Sequence, residues 1–400
     1  MAGKMLRFGR NYNIALRAFA DRGKPTMETS TSSFFLVLCR EDPLAREQTN
    51  RIPSLDGLRT ISIALVIASH FAFTFGHFNL FNAGDLGVRV FFVISGFLIT
   101  GLLMKEHERD RSISLTKFYF RRTLRIFPPY YFLLGVLLML SVAGKIHLAA
   151  NQFLPAAAYL SDYVFPDDWN VDHAWSLSVE EQFYLIYPGV LVLFGMRRIK
   201  WVLAATIAAC PLLRLIDHDI FAAAHPIWLT KGFHANVDTL AVGCLLAFWR
   251  PSLHSNGLYR RIISSRLMFM APLIVFVLNA GIDYTGLDLG LRFSLNNVLI
   301  ALTIDWSVTN SAGLAGKFLN SPPMVFIGMM SYSIYLWQQP FLHPNPETRY
   351  FAFPFNVIGF TACVLISYFV VEKLSLRLRK RYETSVLPHP RPELIPEFAE

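Results

Sequence analysis

Arg59 and His70 stand on one otherwise almost wholly apolar stretch, "LDGLRTISIALVIASHF" (55–71). Imidazole is the side chain that takes and returns protons near neutral pH. Guanidinium is a permanent cation with a planar fork of donors. The two lie eleven positions apart. On a helix that spacing puts them on one face, roughly 16 Å apart along the axis. Ionisable groups on apolar helices are costly and turn toward a bundle interior or a wet cavity. Two readings follow. Either the pair lines one polar passage with His70 as general base, or Arg59 snorkels to an interface while His70 bonds a neighbouring helix.

Two further groups carry chemistry. "KFYFRRTLRIFPPYY" (117–131) holds Arg121, Arg122 and Arg125. Positions 121 and 125, and 122 and 125, share a helical face. Arginine forks suit phosphate, so a phosphate-bearing donor would fit here. An anchor on anionic lipid is the other reading. Pro128 and Pro129 are expected to kink or delay that helix. "DHAWSLSVEEQFYLIYP" (172–188) groups Asp172, His173, Trp175, Ser176, Ser178, Glu180, Glu181 and Tyr184. Carboxylates among aromatics fit sugar binding, which makes Asp172, Trp175, Ser176 and Tyr184 candidate substrate contacts. Ser178 and Glu181 have the spacing of a capping box. Glu180 lacks that role and could orient an imidazole such as His70 across a cavity.

The elements that must position these groups are apolar. The 400 residues are 54% hydrophobic and 16% charged, against about a quarter charged in proteins that fold in water. Windows near 57–77, 87–104, 124–143, 181–196, 201–216, 234–249, 266–281, 288–305, 324–342 and 353–372 are candidate spans. The expected fold is an all-α polytopic membrane protein, about ten transmembrane helices around a central polar passage. Residues 153–165 add a short outer interfacial or re-entrant segment. The basic stretches at 105–125, 197–200, 250–266 and 377–383 then fall on one side and the acidic 162–181 on the other, which is the positive-inside pattern with both termini cytoplasmic. The net charge of +9 flanks spans rather than lining a face, so nucleic acid is not an expected partner. Cys39, Cys210, Cys244 and Cys363 form no metal or redox spacing, and no metal is expected. Gly87, Ser95, Gly96 and Gly101 suit close helix packing. Arg89 reads as a snorkelling residue. His234 and Asp238 either pair or line an acceptor cavity. Residues 1–51 read as a basic cytoplasmic tail and 377–400 as a second tail around a membrane domain of 52–376.

Five blocks, "SLDGLRTISIALVIASH", "GVRVFFVISGFLITGLL", "FYFRRTLRIFPPYY", "HAWSLSVEEQFYLIYP" and "MSYSIYLWQQP", occur in an order that resembles the acyltransferase family 3 membrane proteins. These are O-acyltransferases of surface polysaccharides, lipopolysaccharide, nodulation factors and some secondary metabolites. The resemblance runs from about 52 to 376. It implies a multi-pass inner-membrane enzyme with acetyl-CoA, or another short acyl-CoA, as donor. The acceptor would be a glycan or lipid-linked sugar, and membrane lipid its surroundings. The family's Arg and His fall on Arg59 and His70, its basic motif on Arg121, Arg122 and Arg125, and its Trp-Ser-Leu-x-x-Glu block on Trp175, Ser176, Leu177 and Glu180. Gln338 stands where many members have histidine. The hydrolase-like domain of some members has no counterpart, so transfer is expected to finish in the membrane part or with a partner. The implied mechanism has the arginines hold a cytoplasmic donor, His70 act as general base or acyl carrier, and Glu180 support it. A transporter of a lipid or small metabolite is the alternative for a polytopic chain with intramembrane charges.

Overall fold

The structure is a computed structural model and describes residues 52–74, 82–164, 168–221, 231–280, 288–342 and 352–386. The expected N-terminal tail lies outside these residues, as does the chain after 386. The described residues belong to one compact unit. The elements are α1 (Pro53–Thr74), α2 (Ala83–Asp110), α3 (Leu115–Val142), α4 (Ala150–Ala157), α5 (Ala174–Phe221), α6 (Phe233–Ser255), α7 (Gly257–Ile263), α8 (Ala271–Ala280), α9 (Phe293–Thr309), α10 (Leu314–Leu319), α11 (Pro322–Phe341), α12 (Phe355–Ile366) and α13 (Lys373–Val386). A 3-10 turn precedes α8, and single π turns precede α9 and α13. No strand occurs among the described residues.

Among the described residues, five helices are long and apolar enough to cross a membrane, α1, α2, α3, α5 and the segment Phe355–Tyr382; a sixth arises if α7 and the bent 266–280 segment are one span. The expectation of ten is therefore not reached by length and composition. One reason is continuity. The windows at 181–196 and 201–216 are joined in α5, which breaks its helical geometry at Gly195 (φ 69°, ψ 166°). The other is polarity and length. Helix α9 has 17 residues, short of the roughly 20 a span needs. Helix α6 buries Asn236 and Asp238, and α11 buries Gln338 and Gln339. The segment expected at the outer interface is α4 followed by turns through Val164.

Helix α1 packs between α2 and α11, and α2 packs in turn against α6. The α2–α6 contact is backbone on backbone. A Cβ on Gly96 would lie 2.1 Å from the Leu240 carbonyl oxygen, and one on Gly243 2.1 Å from that of Val93. Of the small residues picked out on α2, Gly96 and Gly87 therefore pack closely, whereas nothing lies near a Cβ on Gly101. Helix α3 starts at Leu115, where Ser114 Oγ accepts from Lys117 N, and runs through Pro128 and Pro129. The prolines do not delay its start, because the cap is set well before them.

Two buried ion networks tie the helices. Arg214 donates to both carboxylate oxygens of Asp238 (3.1 and 2.8 Å), to the Ala235 carbonyl (2.6 Å) and to Ser294. Both partners of that pair are fully buried. The expectation that Asp238 might pair with His234 is corrected: His234 pairs with Asp217 at 2.7 Å. Asp305 accepts from Arg250 (2.6 Å) and Tyr259 (2.6 Å) and contacts His254 (2.8 Å), joining α6, α7 and α9. Arg89 does not snorkel. It is 2% exposed, with its guanidinium 3.3 Å from the Phe293 ring centroid.

Candidate active site

Two cavities adjoin along α2. The histidine cavity encloses about 570 Å³ and is lined by His70, Ser69, Asp85, Asp172, His173, Trp175 and Gln339, among others. The Nδ1 atom of His70 lies 2.6 Å from Gln338 Oε1. A carboxamide oxygen only accepts, so Nδ1 donates and the basic lone pair sits on Nε2. That is the tautomer a general base needs. The partner is neutral, so it orients the ring without adding charge. Trp169 meets the ring edge-on at 5.4 Å. Asp85, Asp172 and Lys231 lie within electrostatic range, and Lys231 is itself paired with Asp172 at 2.7 Å.

His173 stands beside this cavity, just before α5 begins at Ala174. It is 2% exposed, and neither ring nitrogen has a hydrogen-bond partner of good geometry. Its backbone N–H donates to Gln339 Oε1 at 2.9 Å. Burial, with His70 nearby, holds its imidazole down to about 4, because a charged ring there would lose its hydration. Nearby in the loop after α4, burial pushes the Asp162 carboxyl up to about 6, although it accepts from Gln182 (2.8 Å) and Phe233 N (3.2 Å).

The arginine cavity encloses about 750 Å³ and is lined by Arg59, Arg122, Arg125, Ser95, Glu180 and Tyr332, among others. Arg59 pairs loosely with Asp56, one turn before it, at 3.5 Å. Arg122 lies over the Tyr184 ring, 3.4 Å from its centroid, with Glu181 4.0 Å away. Arg125 has no ion pair among the described residues, and Arg59, Arg122, Arg379 and Glu372 lie within its electrostatic range. Three arginines line this cavity against one carboxylate, Glu180, while Asp56, Glu181 and Glu372 stand near them, and guanidinium forks held only by long contacts suit a polyanionic ligand.

The structure separates residues that the motifs grouped. Arg121 leaves the cavity: its guanidinium donates to Glu106 at 2.7 Å, at the far end of α2. It is thus not among the residues that line this cavity, where the motif had grouped it. Arg121 and Arg122 are adjacent and point about 100° apart on a helix, so one face cannot hold both. Glu180 does not orient His70. It lies two turns further along α5 than His173 and lines the other cavity, accepting from Ser95 (2.5 Å) and Tyr184 (3.0 Å). Tyr184 is 1% exposed beneath Arg122 and so is not beside Asp172 and Trp175. Ser176 lines the arginine cavity against Tyr335. The capping box is absent, because α5 begins at Ala174 and Ser178 bonds back to the Ala174 carbonyl at 2.9 Å. Gln338 is the residue that sequence reasoning undervalued. Two adjacent amides in the apolar "YLWQQP" were the available signal, since buried amides demand partners.

Comparison with known proteins bears on this arrangement. The Acyl_transf_3 family, an acyltransferase domain, matches residues 52–372. The chain belongs to that acyltransferase family. As a member, with its set of long apolar helices, it is a multi-pass membrane protein. It is similar to O-acetyltransferase OatA of Staphylococcus aureus (strain NCTC 8325 / PS 47), 30% identical over 315 residues, covering 73% of this chain and 50% of that one. It is also similar to peptidoglycan O-acetyltransferase OatA of Listeria monocytogenes, 29% identical over 324 residues, covering 73% and 49%. The chain thus spans about half the length of the curated relatives it matches. No solved structure matches it. Both motif-bearing cavities of the acyltransferase lie wholly within the matched residues.

Proposed function

We propose that this chain is an O-acetyltransferase that moves an acetyl or other short acyl group from acyl-CoA to a hydroxyl of a glycan, with His70 as the base. The observation that carries the reading is the pair of adjoining cavities, one lined by three arginines and the other holding an imidazole poised on Gln338. Arg59, Arg122 and Arg125 would hold the donor's phosphates. Asp172 and Trp175 would meet the sugar. His70 Nε2 takes the proton of the acceptor hydroxyl as its oxygen attacks the thioester carbonyl. The carbon–sulfur bond then breaks, and the departing thiolate takes the proton from the imidazolium. Attack by His70 itself would give an acyl-histidine first and ping-pong kinetics. Glu180 acts on the donor side, holding Ser95 and Tyr184 beside the arginines.

The Listeria relative is a peptidoglycan O-acetyltransferase by name, which makes a cell-wall or other surface glycan the first substrate to try. The donor side would be cytoplasmic, with both termini there and about ten helical passes in the inner membrane. The domain would run over 52–376 between two tails. The test is transfer by purified protein in detergent, from radiolabelled acetyl-CoA to peptidoglycan fragments or surface glycan. Label in the glycan supports the enzyme, and its dependence on His70 supports the base. A protein that binds but never transfers, in the absence of any compartment, would return the transporter reading.

A further inference from the structure

The two cavities are separated by very little. Val88 and Tyr335 line both of them. Tyr335 on α11 is buried, and its ring stands edge-on to His173 at 5.6 Å and to Phe91 at 6.4 Å. Its hydroxyl lies 2.5 Å from Ser176 Oγ and 3.3 Å from the His173 carbonyl, which Ser176 Oγ also reaches at 3.1 Å. Val88 and Tyr335, the residues common to both linings, therefore stand at the boundary of the two cavities, and the Tyr335 ring is tied to α5 through its hydroxyl. The boundary there is a side chain, which has other rotamers, rather than backbone, which has not.

From this arrangement, and resting on the transfer reading above, we infer that Tyr335, backed by Val88, closes the passage between donor and acceptor cavities and limits the size of the acyl group that crosses. A thioester anchored by its phosphates in the arginine cavity presents its carbonyl to His70 only by passing this ring. The gap left when the ring turns is bounded by Val88, Phe91 and His173, none of which can retreat without disturbing buried packing. A two-carbon chain passes such a gap more readily than a four-carbon one. Loss of the hydroxyl frees the latch but keeps the ring, whereas loss of the ring removes the barrier.

The experiment has two independent arms. In the first, Ser331→Cys, on the arginine side, and Ser69→Cys, on the histidine side, are each placed in a background with Cys39, Cys210, Cys244 and Cys363 changed to Ala. A small anionic methanethiosulfonate is applied to the face of sealed vesicles from which Ser69→Cys reacts. The expected result is slow reaction at Ser331→Cys with Tyr335 present, and reaction at least tenfold faster with Tyr335→Ala, while Ser69→Cys is unchanged. In the second arm, butyryl-CoA and acetyl-CoA compete as donors. The butyryl-to-acetyl ratio is expected to rise about tenfold or more in Tyr335→Ala and far less in Tyr335→Phe. If Tyr335→Ala does not accumulate, Val88→Ala widens the same gap from its other side and is read identically. An unchanged labelling rate or an unchanged acyl ratio overturns the inference. A wild-type protein that transfers no acyl group from either donor instead overturns the transfer reading, and the labelling arm still decides whether the ring separates the cavities.

Discussion

At the scale of single residues, the poise of His70 decides what the site can do. Its Nδ1 is held by a neutral amide at 2.6 Å, which fixes the tautomer that leaves Nε2 basic. Removing a general base costs about 10²- to 10⁴-fold, and His70→Ala is expected to lower transfer by that much at equal membrane abundance. Gln338→Glu is the more informative change. A carboxylate there stabilises the imidazolium, so the ring stays protonated to higher pH. The acid limb of the pH–rate profile is expected to move to higher pH, and a profile that stays in place would separate Gln338 from the chemistry. The arginines offer a second contrast. Arg122 and Arg125 line the cavity whereas Arg121 is tied to Glu106. A charge-assisted hydrogen bond contributes about 1.5–3 kcal/mol. Arg125→Ala is therefore expected to raise the KM for acyl-CoA about tenfold or more, and Arg121→Ala to leave it nearly unchanged. Equal effects of the two would show that the basic motif acts as a diffuse field.

At the scale of elements, α5 and α2 do most of the positioning. The start of α5 runs past both cavities, with Trp175 on the histidine side, Ser176 at the partition and Glu180 on the arginine side. The motif was legible as a cluster, but its division between two cavities was not, because residues close in sequence on a helix are still spread along its axis. Helix α2 forms the shared wall through Val88 and meets α6 at the Gly96–Gly243 contact. Overpacking a close contact costs about 1–3 kcal/mol. Gly96→Ala is expected to lower the thermal midpoint in detergent by several degrees and to shift both cavities. Gly101→Ala, where a Cβ meets nothing, serves as its control.

At the scale of the whole molecule, charge burial sets how stability responds to conditions. Arg214 and Asp238 are both fully buried. Breaking such a pair costs about 3–5 kcal/mol, and replacing both partners by apolar groups costs far less. Asp238→Leu is expected to abolish accumulation of folded protein, and Arg214→Met with Asp238→Leu to restore it; failure of that rescue would assign Asp238 a role beyond the pair. Two groups in the connection between α4 and α5 act in opposite directions with pH. His173 is depressed to about 4 from 6.5, so its stabilising contribution is present above pH 6.5 and is lost as pH falls toward 4. Asp162 is raised to about 6 from 3.8, so its contribution is present below pH 3.8 and is lost as pH rises through 6. Each is on the order of 2–3 kcal/mol at most. Thermal midpoints measured between pH 4 and 7.5 are expected to fall less on acidification in His173→Gln than in wild type, and to fall more in Asp162→Asn. Parallel curves for all three proteins would mean that neither group titrates differently in the folded and unfolded states.

The sequence by itself determined the class of protein and the inventory of its chemistry. Long apolar windows point to a membrane, and an imidazole and a guanidinium on one face of such a helix left two readings open, a shared polar passage or separate anchoring. Family order then assigned the inventory to acyl transfer. The tertiary structure alone decided which groups meet. Whether Arg121 or Arg122 entered the cavity depended on Glu106 of α2, and Glu180 was parted from His70 by its distance along α5. Gln338 took the place beside His70 because α11 packs on α1. Spacing along a helix fixes only the face and height of a side chain, whereas its partner is chosen by whichever helix packs opposite.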